Sequence, residues 1–271
     1  MNFRSAKGLT ACLILAGILL AGTAQAAILE PTGLQDGQLL PKNSAELRVG
    51  FSYADGLHNQ FQRENRNRRL MEVPSLTLNL GLGERVEGQI LYSYLHLRED
   101  GQGDKWGSGD VTLGLKVRLL REGLHLPAVA LRLATKLPNA DEEKDFGTDE
   151  ADIYIELLTT RNFQNFSLYA NLGVAILGDP RPGFSGQDDL FKFGFGVRVP
   201  LAAERVDALV SIEGMEGGES INRRGALRAG VQTYLGRFIW DLGGSVGYKS
   251  KSEDWSVRTG LTTRFSLPGG W

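Results

Sequence analysis

From about Ser44 onward the chain repeats one pattern. Segments in which apolar and polar residues alternate singly are joined by links that are long, then short, then long again. Single alternation means an extended strand whose two faces differ chemically. Alternating link lengths mean antiparallel neighbours, with tight turns at one end of the sheet and longer loops at the other. About twelve such segments, each of roughly ten residues or a little more, give an even strand number and the length needed to cross an apolar layer at a tilt. The expected fold is all-β: an antiparallel up-and-down transmembrane β-barrel of about 12 strands. In hydrocarbon every backbone polar group needs a partner, so such a sheet must close on itself.

Most faces follow from the alternation. Val111, Leu113, Leu115, Val117 and Leu119 oppose Asp110, Thr112, Gly114, Lys116 and Arg118. Leu76, Leu78, Leu80 and Leu82 oppose Ser75, Thr77, Asn79 and Gly81, and Phe191, Phe193 and Phe195 oppose Lys192, Gly194 and Gly196. The apolar set is assigned to lipid and the polar set to the barrel axis. Val86–Arg98 is less regular, because Ile90, Leu91, Tyr92, Tyr94 and Leu95 are apolar or aromatic on both parities, and no facing follows there. A soluble sandwich or lipocalin-like barrel shares the period of two but buries its apolar face inside. Strand length, even count and link asymmetry favour the membrane form.

In an antiparallel pair, opposed residues have a constant sum of numbers. Arg132 with Glu156 and Lys136 with Asp152 share one sum, which also sets Leu133 against Ile155 and Leu131 against Leu157. Opposite charges then meet on one face and apolar groups on the other. A similar register is expected to set Asp241 against Arg264, and to bring Lys116 near Arg132. The lumen-facing candidates are Arg48, Lys116, Arg118, Arg132, Lys136, Asp152, Glu156 and Arg198. Such charges either tune a water-filled path for a solute or neutralise one another and fill a narrow lumen, as small barrels often do.

The first residues carry Arg4 and Lys7 and no acid, then the apolar run Leu9–Ala24, then Ala24-Gln25-Ala26. This is the pattern of a secretory signal peptide over residues 1–26, cleaved after Ala26. Export places the barrel, residues 44–271, in the cell outer membrane of a Gram-negative bacterium. Residues 27–43, rich in Pro and Gly, read as a periplasmic lead-in or short plug. Outer-membrane lipid, lipopolysaccharide and the barrel-assembly machinery are the partners this implies, with Phe265 or Trp271 as the assembly signal. Arg63, Arg66, Arg68 and Arg69 crowd the first long loop and suit lipopolysaccharide phosphates, or form a solvated charged loop.

Removing the signal removes Cys12, the only cysteine, and leaves no thiol for a disulfide or a Cys-based metal site. It also leaves 28 basic against 32 acidic residues, which argues against a nucleic-acid partner. The acidic loop with Asp141, Glu142, Glu143, Asp145, Asp149 and Glu150 lacks the spacing of an EF-hand, so no metal and no cofactor is expected. Outer-membrane hydrolases also use barrels, but His58, His96 and His125 sit in no hydrolase motif, and no catalytic residue is assigned.

Three stretches carry a resemblance. Gly107–Lys116 (GSGDVTLGLK), Pro127–Pro138 (PAVALRLATKLP) and Phe166–Pro180 (FSLYANLGVAILGDP) resemble the meta-pathway phenol-degradation family of outer-membrane channel proteins, over about residues 45–267. Asn139-Ala140 after Pro138, and the ending Leu267–Trp271, depart from the pattern of that family and of many barrels. The resemblance implies a channel or transporter for passive uptake of small, aromatic or apolar solutes. The alternative is a structural or adhesive surface barrel without transport.

Overall fold

The computed structural model describes residues 29–58, 68–101, 103–141, 144–181, 186–201 and 205–268. The expected signal segment lies outside them. Strands β1 (Ser44–Asp55), β2 (Arg68–Gly81), β3 (Val86–Glu99), β4 (Lys105–Ser108), β5 (Thr112–Leu120), β6 (Ala128–Lys136) and β7 (Asp152–Asn162) make the first half of the wall. The second half is β8 (Ser167–Gly178), β9 (Gln187–Pro200), β10 (Val206–Gly217), β11 (Arg224–Leu235), β12 (Phe238–Gly247) and β13 (Trp255–Ser266). Every pairing is antiparallel. Strands β1 and β13 pair with each other, as do β2 and β3, so the sheet closes on itself.

Both β4 and β5 pair with β3, one after the other, and together form a single stave. The barrel is therefore the expected closed twelve-stranded one. The correction is to the link after β3: Lys105–Ser108, read as loop from the sequence, is strand, followed by a break at 109–111 where one extra residue enters the ladder. A bulge of this kind bends the strand without ending the stave.

The two faces are as different as the alternation requires. On β10, Leu209 is 1% exposed while its neighbour Val210 is 58% exposed. The exposed set includes Leu133, Ile155, Leu157, Phe195, Ile212, Leu227 and Leu261, and it girdles the barrel. Uncovered apolar side chains on neighbouring strands make sense only against an apolar medium. Leu157, opposite Leu131 and Leu172 in the middle of β7, should not tolerate charge. Leu157→Arg is expected to lower stability by ~2–4 kcal/mol, as for a cation at the bilayer midplane. Urea titration of the folded protein in lipid vesicles measures this, and an unchanged midpoint would remove the lipid-facing assignment.

The ambiguous strand now has a facing and a reason for its ambiguity. On β3, Ile90, Tyr92 and Tyr94 point outward, whereas Leu91, Leu95 and Leu97 point inward. Leu95 and Leu97 are apolar because Phe146, from the link after β6, folds back onto them at the mouth, with Leu70 and Ala140 beside them. Ile221 makes a similar cluster with Ala175, Leu177 and Leu190. Both clusters narrow the long-loop end.

Residues 29–43 run inside the barrel and down to its short-turn rim. A 3-10 turn at Glu30–Thr32 packs on β10, β11 and β12. A Cβ on Gly230 or Gly243 would meet Pro31, and one on Gly194 or Gly196 would meet Leu34. These inward glycines thus form a groove that the segment fills. At the rim, the Asn43 amide donates to the Gly81 carbonyl (2.9 Å).

Candidate functional site: the barrel lumen

The lumen is built from the inward residues of every stave and the segment that crosses it. The β6–β7 register is the expected one, with Arg132 opposite Glu156 and Lys136 opposite Asp152. Arg132 Nη1 lies 2.5 Å from Glu156, whose other oxygen takes Lys192 at 2.8 Å. Arg132 Nε also donates to Gln89 (2.8 Å). Lys136 bridges Asp152 (3.0 Å) and Asp110 (3.5 Å). Lys116 stands opposite Arg132, and its ammonium is held by Glu87 at 2.9 Å. A carboxylate beside each cation is what allows these strands to carry like charges side by side.

The remaining candidates sit elsewhere along the axis. Arg198 is inward on β9 and 3.7 Å from Asp207. Arg118 lies at the short-turn rim, where its guanidinium donates to the Glu84 carbonyl. Arg48 is bidentate to Asp241, at 2.7 and 3.0 Å. This corrects the expected Asp241–Arg264 pairing. In the actual register Asp241 faces Gly260, and Arg264 faces Glu46, its partner at 2.9 Å. A Cβ on Gly260 would overlap the Arg48 guanidinium, so this glycine is what lets Arg48 reach across β13 to β12. Pairing rules between adjacent strands could not reveal a contact two strands apart.

The first loop is also different from expectation. Arg63 and Arg66 lie outside the described residues. Arg68 is buried beside Glu99 (3.9 Å), and Arg69 pairs with Asp55 (3.4 Å) and Asp100 (3.7 Å). In the acidic loop Glu142 and Glu143 are outside the described residues, and Asp145 pairs with Lys105 at 2.8 Å.

The crossing segment is fastened by barrel side chains. Gln35 and Asn171 exchange two hydrogen bonds, at 2.8 and 2.9 Å. The Gly37 amide donates to Thr160 Oγ1 (2.9 Å), which donates on to Asp36 (2.6 Å). Glu87 accepts from the Leu40 amide (2.7 Å), Ser211 donates to the Thr32 carbonyl (2.9 Å), and Lys116 reaches the carbonyls of Asp36 and Gln38. Backbone groups withdrawn from water are thereby satisfied. Removal from water pushes the Asp36 carboxyl above its ordinary range, against the Thr160 hydroxyl, the Gln38 amide, Lys116 and Arg198, which pull it down. Docking of the segment therefore favours the protonated form of this carboxyl. By linkage it is strongest below the ordinary aspartate pKa and weakens as pH rises through the docked value.

Among the described residues, two cavities lie one above the other in the lumen. The one toward the long loops has a volume of about 440 Å³ and the one toward the short turns about 90 Å³. Arg48 and Thr77 line both and mark the boundary between them.

A closed barrel with an apolar belt, a charged interior and internal cavities is the architecture of the outer-membrane channels. The family model described as "Putative MetA-pathway of phenol degradation" matches residues 50–265. The chain belongs to that family. Among solved structures it is similar to the COG4313 outer membrane channel from Pseudomonas putida F1, at 13% identity and a TM-score of 0.67, covering 89% of this chain and all of that one. It is also similar to the translocator domain of the autotransporter NalP from Neisseria meningitidis, at 11% identity and a TM-score of 0.50, covering 96% of this chain and 95% of that one. These likenesses show the fold. No curated protein sequence matches the chain.

Proposed function

We propose that the chain is an outer-membrane channel or transporter that lets small aromatic or apolar solutes pass without energy input. Its short turns face the periplasm, and residues 27–43 act as a plug. The observation that carries this reading is the pair of lumenal cavities, stacked along the axis and meeting at Arg48 and Thr77 inside a wall belted with apolar side chains. The family's link to phenol degradation supports aromatic or apolar cargo. Leu57, Leu70 and Leu91 on the larger cavity offer such cargo a surface.

The paired charges support a further distinction. Arg132 with Glu156, Lys136 with Asp152, and Lys116 with Glu87 hold one another, so their main role is to bind staves together and fix the plug. The test is flux. Purified protein in planar bilayers and in swelling liposomes is expected to pass small ions and neutral solutes. Absence of flux for every ion and solute would favour a structural barrel.

A further inference from the structure

We infer that the larger lumenal cavity is a binding site for a protonated amine carried on an apolar body. The inference rests on the channel reading for its biological sense and names the substrate class for that path. It starts from Glu72. In β2, Leu76, Leu78 and Leu80 point to lipid, so a strict period of two would place Glu72 on the lipid face as well. The pairing of β2 with β3 instead slips between Glu72 and Ser75. With Val73 and Pro74 both in the bulge, Glu72 and Ser75 turn to the same side. Glu72 thus lines the cavity, opposite Ser52 on one neighbour and Leu95 on the other.

The other charged groups on this cavity are already engaged. Arg48 is held by Asp241, and Arg228 by Glu213 (2.6 Å) and Glu253 (3.3 Å). Asp110 accepts from the Asn139 and Ala140 amides and faces Lys136. Arg258, opposite Ser52 on β13, makes an interaction of its own. Among the described residues, Glu72 has no cation within ion-pairing distance and no side-chain hydrogen bond. Among the described residues it is a carboxylate with no counter-ion in contact, on a cavity where Arg48, Arg228 and Asp110 are held by partners of their own.

Its surroundings complete the ligand chemistry. Ser52, opposite it, and Ser75, just past the bulge, present hydroxyls on the same cavity, and Leu70 and Leu91 present apolar surface there. An ammonium donates three hydrogen bonds and needs acceptors around one negative charge. A carboxylate with neighbouring hydroxyls supplies them, and the leucines cover a ring or short alkyl chain. A neutral alcohol of the same shape would lose the charge-assisted contact and keep the rest.

The probes are 2-phenylethylamine and 2-phenylethanol, titrated calorimetrically into the full-length protein in detergent at neutral pH. Wild type is expected to bind the amine roughly tenfold more tightly than the alcohol, the scale of one charge-assisted hydrogen bond. Glu72→Gln should abolish that preference and leave alcohol binding unchanged, while Glu253→Gln, at a partnered acid on the same cavity, should keep the preference. Equal affinity for the two probes in wild type, or an intact preference in Glu72→Gln, would overturn the site. Binding is read without flux, so amine preference in a protein that conducts nothing would sink the channel reading alone. Flux with no amine preference would sink only the site.

Discussion

A chain lacking residues 29–39, with the export signal and β1 intact, should conduct several-fold more current per channel than the full chain. The segment fills a groove floored by Gly194, Gly196, Gly230 and Gly243, and those glycines leave no side chain to take its place. Deletion removes a barrier and supplies no substitute, so the path widens instead of collapsing. Single-channel recordings in one salt solution check this directly. Unchanged conductance would mean that the segment does not limit the path. Loosening the fastening without deletion, by Asn171→Ala with Thr160→Val, should give brief openings to the larger conductance level. The openings of wild type should become rarer as pH falls toward the ordinary aspartate range, because the docked Asp36 carboxyl takes up a proton. Asp36→Asn should flatten that component of the pH response.

Glu156→Ala should be among the most damaging single substitutions in the wall. Glu156 is 2% exposed and neutralises both Arg132, itself 6% exposed, and Lys192. Its loss leaves the buried Arg132 and the partly exposed Lys192 side by side without their shared carboxylate. Breaking a buried ion pair on one side costs about 3–5 kcal/mol. The measurement is the temperature at which the compact, fast-migrating form on a detergent gel is lost. Replacing Arg132, Glu156 and Lys192 together by methionine should recover much of the loss, since the cost lies in the unpaired charges. If the single variant matched wild type, the ions would be ornaments of a hydrated pore and not part of its wall.

Much of this architecture was legible before any coordinates. Period-two patterning located the staves because a strand's side chains must alternate between lipid and axis, and those two media differ sharply. The β6–β7 register followed for the same reason: one alignment satisfies charges on one face and oil on the other. β3 stayed ambiguous in part because its inward Leu95 and Leu97 are covered by Phe146, a residue from a distant link.

What the chain determined by itself was the strand count and the two faces of the regular staves, since each depends on short-range alternation against two solvents. The tertiary structure alone decided which charges meet and what fills the axis. Arg48 finds Asp241 only because Gly260 lies bare between them. The lead-in finds its groove only when β9–β12 bring four glycines to one wall. Glu72 reaches the lumen only through a bulge that reverses its parity. Such contacts join residues far apart in the chain, and they exist only once closure of the barrel has set the curvature, register and free space around its axis.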